Sequence, residues 1–377
     1  MEIYRKTWAE VKVQNLQHNI EIIRSNFPKD TFLCPMVKAN AYGHGDAKIA
    51  KLLESWEVPS LGVCLIEEGL LLRRLGLKIP ILVFRGFDAK GAHALAEYNL
   101  IPVVSHMDQL HLLIEMKKPV SLHLKFDTGM NRLGFPVDLA EPILKLILQN
   151  PFLKVEGVLT HLYQSEDSLK ENSESHRQLQ NFLPLVSVFE NLTDNFHALN
   201  SGAVASKLEL LKNKKKDPLL SLRNWGLRPG LLFYGYNPVE KSSFQFKPAL
   251  TLKSYTSVVR KVKKGEGVSY NHTWIAPEDS TVAVVPIGYA DGWHRILSNQ
   301  AEVLWNGKRA PLVGNICMDY LMVNVTGHEV LSENEVVFLG DSSFGSQISV
   351  FETAKLAKTI PWEILTSLGE RVPRLYL

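Results

Sequence analysis

Thr31-Phe32-Leu33-Cys34-Pro35-Met36-Val37-Lys38-Ala39-Asn40-Ala41-Tyr42-Gly43-His44-Gly45 is the stretch that decides how this chain folds. Its first seven residues form an apolar run with the length and bounds of a buried strand. Lys38 follows at once, so it stands where such a strand ends, at the mouth of a barrel or sheet, with its stem in apolar surroundings. A lysine so placed can serve as a nucleophile or a base. The small residues Ala39, Ala41, Gly43 and Gly45 let a bulky ligand approach the backbone, and Tyr42 sets a ring or hydroxyl beside it.

Outward from this stretch, short apolar runs alternate with amphipathic segments from about Thr31 to Tyr236. Strand candidates are Ile79 to Phe84, Ile101 to Val104, Ser121 to Phe126 and Val155 to Thr160. Between them, Ala47, Ile49, Ala50, Leu52 and Leu53 fit one helical face, with Asp46 as N-cap. Leu139, Ile143, Leu144, Ile147 and Leu148 fit another. Such alternation predicts a parallel α/β barrel or a doubly wound sheet. No glycine-rich dinucleotide fingerprint opens the first helix, which favours the barrel. The expected fold class is α/β, an N-terminal (β/α)8 TIM-type barrel over residues 15–238. After about Pro238 the texture changes to short strands such as Thr281 to Val285 and Val336 to Leu339, with little helix before Ser349. Residues 239–377 therefore read as a mainly-β domain that could form a compact barrel. Residues 7–14 read as a strand outside the barrel rhythm, which sets residues 1–14 apart.

The composition excludes several function classes. The 377 residues are 45% hydrophobic with a net charge of +3, ordinary for a globular protein and unlike a nucleic-acid binder. The densest basic run, Lys212-Asn213-Lys214-Lys215-Lys216-Asp217, lacks interleaved aromatics and reads as a solvated loop. Cys34, Cys64 and Cys317 are too few and too far apart for a disulfide scaffold or a zinc site. The absence of a signal core or a long apolar run predicts a cytoplasmic protein with no membrane partner.

Further segments carry chemistry. Lys125-Phe126-Asp127-Thr128-Gly129-Met130-Asn131-Arg132-Leu133-Gly134 ends another barrel strand and holds Arg132, whose fork can bind a carboxylate in two places. Asn200-Ser201-Gly202-Ala203 and Arg228-Pro229-Gly230-Leu231 fall late in the barrel half, where phosphate sites are usual. In the β half stand Val268-Ser269-Tyr270-Asn271, Ile287-Gly288-Tyr289-Ala290-Asp291-Gly292 and Gly314-Asn315-Ile316-Cys317-Met318-Asp319. In this order, and starting from Val37 to Gly45, the motifs resemble those of the alanine racemases over essentially the whole chain.

The resemblance implies pyridoxal 5′-phosphate as cofactor, carried covalently by Lys38. It implies that Tyr42, the Ser201 hydroxyl and the N–H groups of Gly230 and Leu231 contact the phosphate. Arg132 would hold the substrate carboxylate and the cofactor's phenolic oxygen, and Lys125 matches a lysine that is carbamylated in many family members. Arg228 matches the arginine facing the pyridine nitrogen, with His161 supporting it. An arginine there cannot take up the ring proton, so electron withdrawal is limited and transamination should be suppressed. Tyr270 matches the second catalytic base, which needs nearby positive charge or donors to accept a proton. Tyr289, Cys317, Met318 and Asp319 match the entrance and substrate-side residues. In the family these β-domain residues reach the other subunit's site, which implies a homodimer, and the first strand joins the C-terminal domain.

One departure stands out. In Thr359-Ile360-Pro361-Trp362-Glu363 the family usually has tyrosine before the glutamate, and its hydroxyl contacts the phosphate. Indole donates only through its N–H, so Trp362 leaves serine tolerance open. The expected function is a two-base alanine racemase, with Lys38 serving the D side and Tyr270 the L side, supplying D-alanine for peptidoglycan or serving alanine catabolism. A broader alanine/serine racemase, a decarboxylase of the same plan and a non-catalytic pyridoxal-phosphate-binding protein are the alternatives. Arg228 argues against the decarboxylase, and the β domain against the bare carrier.

Overall fold

The computed structural model describes residues 4–166, 173–215, 219, 223–239 and 242–377. Contacts divide the chain into two units, residues 16–41 with 46–247, and residues 1–15 with 42–45 and 248–377. The chain opens with strand β1 (Thr7–Val11) and helix α1 (Val13–Ser25). Seven parallel strands then follow in sequential order in the first unit. They are β2 (Leu61–Val63), β3 (Ile81–Val83), β4 (Ile101–Val104), β5 (Val120–Lys125), β6 (Leu153–Leu159), β7 (Phe196–Leu199) and β8 (Gly226–Leu227).

Segment 32–37 completes the ring. Leu33 bridges Leu227 of β8 and Met36 bridges Gly62 of β2, both in parallel. The Cys34 N–H donates to the Leu227 carbonyl at 2.8 Å, and the Val37 N–H to the Gly62 carbonyl at 2.8 Å. Pro35 has no N–H to give to a ladder, so the segment pairs by isolated bridges while holding the first strand position of an eight-membered barrel. Helices α2 (Asp46–Ser55), α3 (Ile66–Arg74), α4 (Ala89–Glu97), α5 (Met107–Met116), α6 (Ala140–Gln149), α7 (Glu174–Phe189) and α8 (Ser201–Lys212) follow this segment and strands β2 to β7 in turn. The α/β barrel expected from the alternation is present.

Local detail differs at two helices. Asp46 is the first residue of α2 rather than its cap: the Asn40 Oδ1 accepts the Asp46 N–H at 3.0 Å. On α6 the buried face is Ala140, Ile143 and Ile147, at the i, i+3, i+7 spacing. Leu148, one position round the helix, is exposed. The barrel interior packs Cys34, Leu82, Ile101, Val103 and Leu159 with Phe32 and Phe84. Each large apolar side chain fully buried there contributes about 1.5–3 kcal/mol. Of the basic run, Lys212 ends α8 and Lys214 and Lys215 are exposed, while Lys216 and Asp217 lie outside the described residues.

The second unit is mainly β. Its strands are β9 (Leu250–Tyr255), β10 (Val258–Val262), β11 (Gly267–Val268), β12 (Trp274–Ile275), β13 (Ser280–Val285), β14 (Glu302–Trp305), β15 (Lys308–Pro311), β16 (Leu321–Asn324), β17 (Glu335–Asp341), β18 (Gln347–Ile348) and β19 (Arg374–Tyr376), with α9 (Val350–Leu356) and α10 (Pro361–Thr366) before the last. One sheet runs β15-β14-β17-β9-β1-β19, with β18 on β17, and another runs β10-β13-β16. A bridge from Leu312 to Val323 joins their edges. No ladder among the described residues pairs β10 with β19, so the strands curl without the closed barrel the turn pattern suggested. β1 pairs antiparallel with β9 and parallel with β19. The buried Lys253 Nζ ties this sheet together, 3.1 Å from Glu10 of β1 and 3.2 Å from Glu335 of β17. No helix among the described residues is long and apolar enough to cross a membrane.

Candidate active site

The chain leaves segment 32–37 in an unusual way. Ala39, Asn40, Ala41 and Tyr42 have φ of 52°, 53°, 51° and 53°, four consecutive left-handed residues without a glycine. That conformation costs an L-residue roughly 1–2 kcal/mol, so surrounding bonds must impose it. The Glu68 carboxylate does much of this. It accepts the Ala39 N–H at 2.7 Å on one oxygen, and those of Cys64 and Leu65 at 2.7 and 2.9 Å on the other. The turn presents half-buried Lys38 at the strand-end side of the ring.

After β5 the backbone folds back on itself. The Asp127 N–H donates to the Phe135 carbonyl and the Phe135 N–H to that of Lys125. A β-carbon on Gly134, at φ 136°, would meet the Asp127 nitrogen at 2.4 Å, so only glycine allows this return. Asp127 accepts the N–H groups of Gly129, Met130 and Arg132 at 2.8, 2.8 and 2.9 Å. Burial opposes ionisation of Asp127, but these backbone donors outweigh it and hold its carboxyl below the usual range. Arg132 projects from this loop, exposed. Lys125 is buried at the end of β5. Burial first, then the charges of Arg132, Arg228 and Lys38 against the opposing Asp127, push its amine down to about 8.

Arg228 follows β8 and is buried. Its guanidinium donates to the His197 Nδ1 at 2.9 Å, the His197 carbonyl at 2.6 Å and the Thr160 carbonyl at 2.7 Å. The histidine bonded to Arg228 is thus His197, and the expected supporter His161 enters that bonding only through its chain neighbour Thr160. Because a guanidinium only donates, His197 accepts at Nδ1 and keeps its proton on Nε2. That nitrogen lies 2.8 Å from the His123 Nδ1, so His123 in turn accepts. Burial, then the neighbouring positive charge, keeps His197 far below its ordinary value; burial takes His123 to about 3. Burial also lowers Arg228, to about 10. Sequence reasoning passed over His123 and His197. The available signal was a histidine inside a fully buried strand beside a space-making glycine: a β-carbon on Gly157 would meet the His123 ring at 2.4 Å, and one on Gly226 the His197 side chain at 2.6 Å.

Ser201 opens α8, where Asn200 caps by accepting the Ala203 N–H at 3.3 Å. The Ser201 Oγ accepts the Gly230 N–H at 2.9 Å and the Leu232 N–H at 3.3 Å, which draws the loop after β8 against the helix N-terminus. Lys38, Lys125, Arg132, His161, Ser201 and Arg228 all follow or end strands at the carboxyl side of the barrel. The cations outnumber the carboxylates of Asp127 and Glu68, both of which are already engaged by backbone N–H groups. This donor set fits a ligand bearing a phosphate and a carboxylate, as pyridoxal phosphate with an amino acid would. Among the described residues no group of three His, Cys, Asp or Glu side chains could hold a metal.

In the β unit, Tyr270 lies in the loop of the β11–β12 hairpin and is 68% exposed. Tyr289 and Met318 are exposed too. Their segments are laced together, the Tyr289 N–H to the Cys317 carbonyl at 3.0 Å and the Ala290 N–H to that of Met318 at 3.1 Å. Asp319 pairs with Arg371 at 2.6 Å. Tyr42 is nearly buried, and Trp362 is half-buried at the start of α10.

Cations at the strand ends, on the same side as the N-terminus of α8, define an α/β-barrel protein whose carboxyl face suits an anionic ligand, the arrangement of a barrel enzyme. The sequence profile of the alanine racemase N-terminal domain matches residues 11–238, and that of the C-terminal domain residues 249–376. The chain belongs to the alanine racemase family. It is 36% identical over 379 residues to an alanine racemase of Thermodesulfovibrio yellowstonii, covering 98% of this chain and 97% of that one. A structure of the Bacillus anthracis alanine racemase with bound L-Ala-P is similar at a TM-score of 0.89 and 31% identity, over 100% of this chain and 96% of that one. One from Bartonella henselae, with covalently bound pyridoxal phosphate, is similar at a TM-score of 0.86 and 28% identity, over 99% of each chain.

The buried histidines make stability fall in acid. Their folded values lie below the unfolded value of about 6.5, so the unfolded chain binds protons that the folded barrel refuses. Stability is full above pH 6.5 and is lost as pH falls toward the folded value, about 3 for His123. At pH 5.5 His123 should cost about 1.4 kcal/mol relative to pH 7.5, and His197 adds to the loss in the same direction. Urea unfolding of the parent at pH 7.5 and 5.5 should show this loss, and His123→Gln should shrink it by roughly one histidine's share. A pH difference that is the same in both proteins would show that His123 takes up its proton while folded.

Proposed function

We propose that this protein is an alanine racemase that interconverts L- and D-alanine with pyridoxal 5′-phosphate bound at the barrel mouth. Membership of the family over nearly the whole chain supports this, and the observation that carries it is the grouping of Lys38, Arg132 and Arg228 near enough to Lys125 to act on its charge, on the barrel face that also carries the Ser201–Gly230 contact. When bound, the cofactor supplies the electron sink that makes the α-proton of an amino acid removable. Ser201 and the backbone of Gly230 and Leu231, with Tyr42, hold the phosphate. Arg132 holds the substrate carboxylate by a two-point charged contact. Arg228, fixed by two carbonyls and a neutral histidine, offers the pyridine nitrogen a donor and no proton acceptor.

Racemisation needs a proton taken from one face and returned on the other, and each position requires a base within hydrogen-bond reach. The Lys38 amine serves the D face. The Tyr270 hydroxyl of the partner subunit serves the L face, with Tyr289, Cys317, Met318 and Asp319 shaping the entrance beside it. The exposure of Tyr270 and Met318 in the single chain supports a homodimer with shared sites. Incubation with L-alanine in deuterated water should cost the sample its optical activity while deuterium enters the α-position. Release of carbon dioxide would indicate a decarboxylase instead, and no reaction a carrier.

Sharing of the site has its own test. Mixing Lys38→Ala chains with Tyr270→Ala chains should restore part of the activity, because half the sites of a heterodimer regain both bases. Heterodimers that form and stay inactive would refute the sharing.

Lys125 is read as the carbamylated lysine that orients Arg132. The step joins a neutral amine and carbon dioxide into a carbamate and releases a proton, so an amine held down at about 8 is suited to it at neutral pH. Added bicarbonate should raise the activity of the parent protein and leave that of Lys125→Ala unchanged. An equal response in both would discard the modification.

A further inference from the structure

The loop carrying Tyr270 is as unusual as the one after Lys38. Ser269, Asn271 and His272 have φ of 66°, 61° and 44°, and they face Asn299 and Gly314 at 57° and 75°. Left-handed backbone at this density persists only where neighbours impose it. The hairpin stems do part of the work, since Val268 and Trp274 pack with Val282, Val313 and Met322. The tip itself has other supports. The Asn315 Nδ2 donates to the Tyr270 carbonyl at 2.8 Å, and the Asn315 carbonyl accepts the Ser269 hydroxyl at 2.6 Å and the Cys317 thiol at 3.6 Å. Asn299 braces both segments, accepting the Gly314 N–H at 2.6 Å and donating to the Thr273 hydroxyl at 3.1 Å. A β-carbon on Gly314 would meet the Val268 carbonyl oxygen at 2.6 Å, so the two loops lie in direct backbone contact.

We propose that Asn315 is a positioning residue for Tyr270: by bonding on both sides of the Ser269–Tyr270 peptide, it sets the direction in which the phenol leaves the hairpin. The inference rests on the reading of Tyr270 as the L-side base. Asn315 reaches Tyr270 only through its backbone, so removing it should reorient the hydroxyl without unfolding the sheet below. A base displaced by a fraction of an ångström loses efficiency in one direction of proton transfer, while Lys38 can still exchange the α-proton of D-alanine unaided.

The test compares Asn315→Ala and Asn315→Asp, the latter keeping the shape but putting an acceptor where the amide donated. Racemisation in either direction should fall about three- to tenfold, the scale of one lost hydrogen bond. Deuterium exchange into D-alanine with retained configuration should stay within about twofold, a limit set well below that loss. A second readout needs no turnover. In protein labelled with 3-fluorotyrosine, the fluorine resonance that Tyr270→Phe deletes should shift or broaden in both variants. Racemisation within about twofold of the parent in both variants, or a Tyr270 resonance that does not move, overturns the proposal. A proportional fall in exchange and racemisation also overturns it, since that is the mark of general disorder. If Tyr270→Phe itself racemises normally, the reading of Tyr270 as a base falls, and the fluorine signal still decides whether Asn315 orients it.

Discussion

A guanidinium buried without a carboxylate partner is the constraint around which the barrel is organised. Among the described residues, Arg228 bonds to two carbonyls and one histidine. Carbonyls and a neutral imidazole satisfy its donors without cancelling its charge. Burial keeps His197 neutral and depresses Lys125, and that charge adds to both effects, with Arg132 and Lys38 joining it at Lys125. A barrel mouth left with this excess of positive charge binds anions well and repels cations. The glycines of β6 and β8 follow from the same demand, because the histidines that satisfy Arg228 need space among large apolar side chains.

The barrel rhythm was legible because parallel strands buried on both faces are continuous apolar runs. Ile101 to Val104 has the same bounds in sequence and structure, and the β-half strands at Thr281 and Val336 lie where turn residues framed them. The left-handed turn from Ala39 to Tyr42 was not legible. Alanine favours the right-handed helix, and bonds from beyond the segment, the distant carboxylate of Glu68 among them, oppose that preference. The exposure of Leu148 shows the same limit at smaller scale: apolar spacing marks a face without marking its edge.

The site divides in a similar way. Residues that touch ligands lie in short, recognisable motifs, since their chemistry dictates both type and spacing. The residues that hold them do not. His197, Glu68 and Asn315 act across the fold, at positions fixed by pairing register and loop return, and beyond the histidine within an apolar strand little in the adjacent sequence sets them apart. The family resemblance implies His161 as the support of Arg228; here the ring pairing sets β7 beside β8, and the side-chain bond to Arg228 comes from His197.

β1 and β19 meet in one sheet although the barrel unit lies between them in the chain. Such a pairing would be slow if it had to close the whole intervening loop from an open coil. The barrel removes that burden. Asn19, buried on α1, donates to the carbonyls of Phe233 and Lys247 at 3.0 and 2.9 Å and accepts the Lys247 N–H at 2.8 Å, across 214 and 228 positions of sequence. Once these bonds form, Val11 and Leu250 are separated by only a few residues of chain on either side of a clamp. The pairing of β1 with β9 then closes only a short remaining loop, and β19 adds to an edge that already exists.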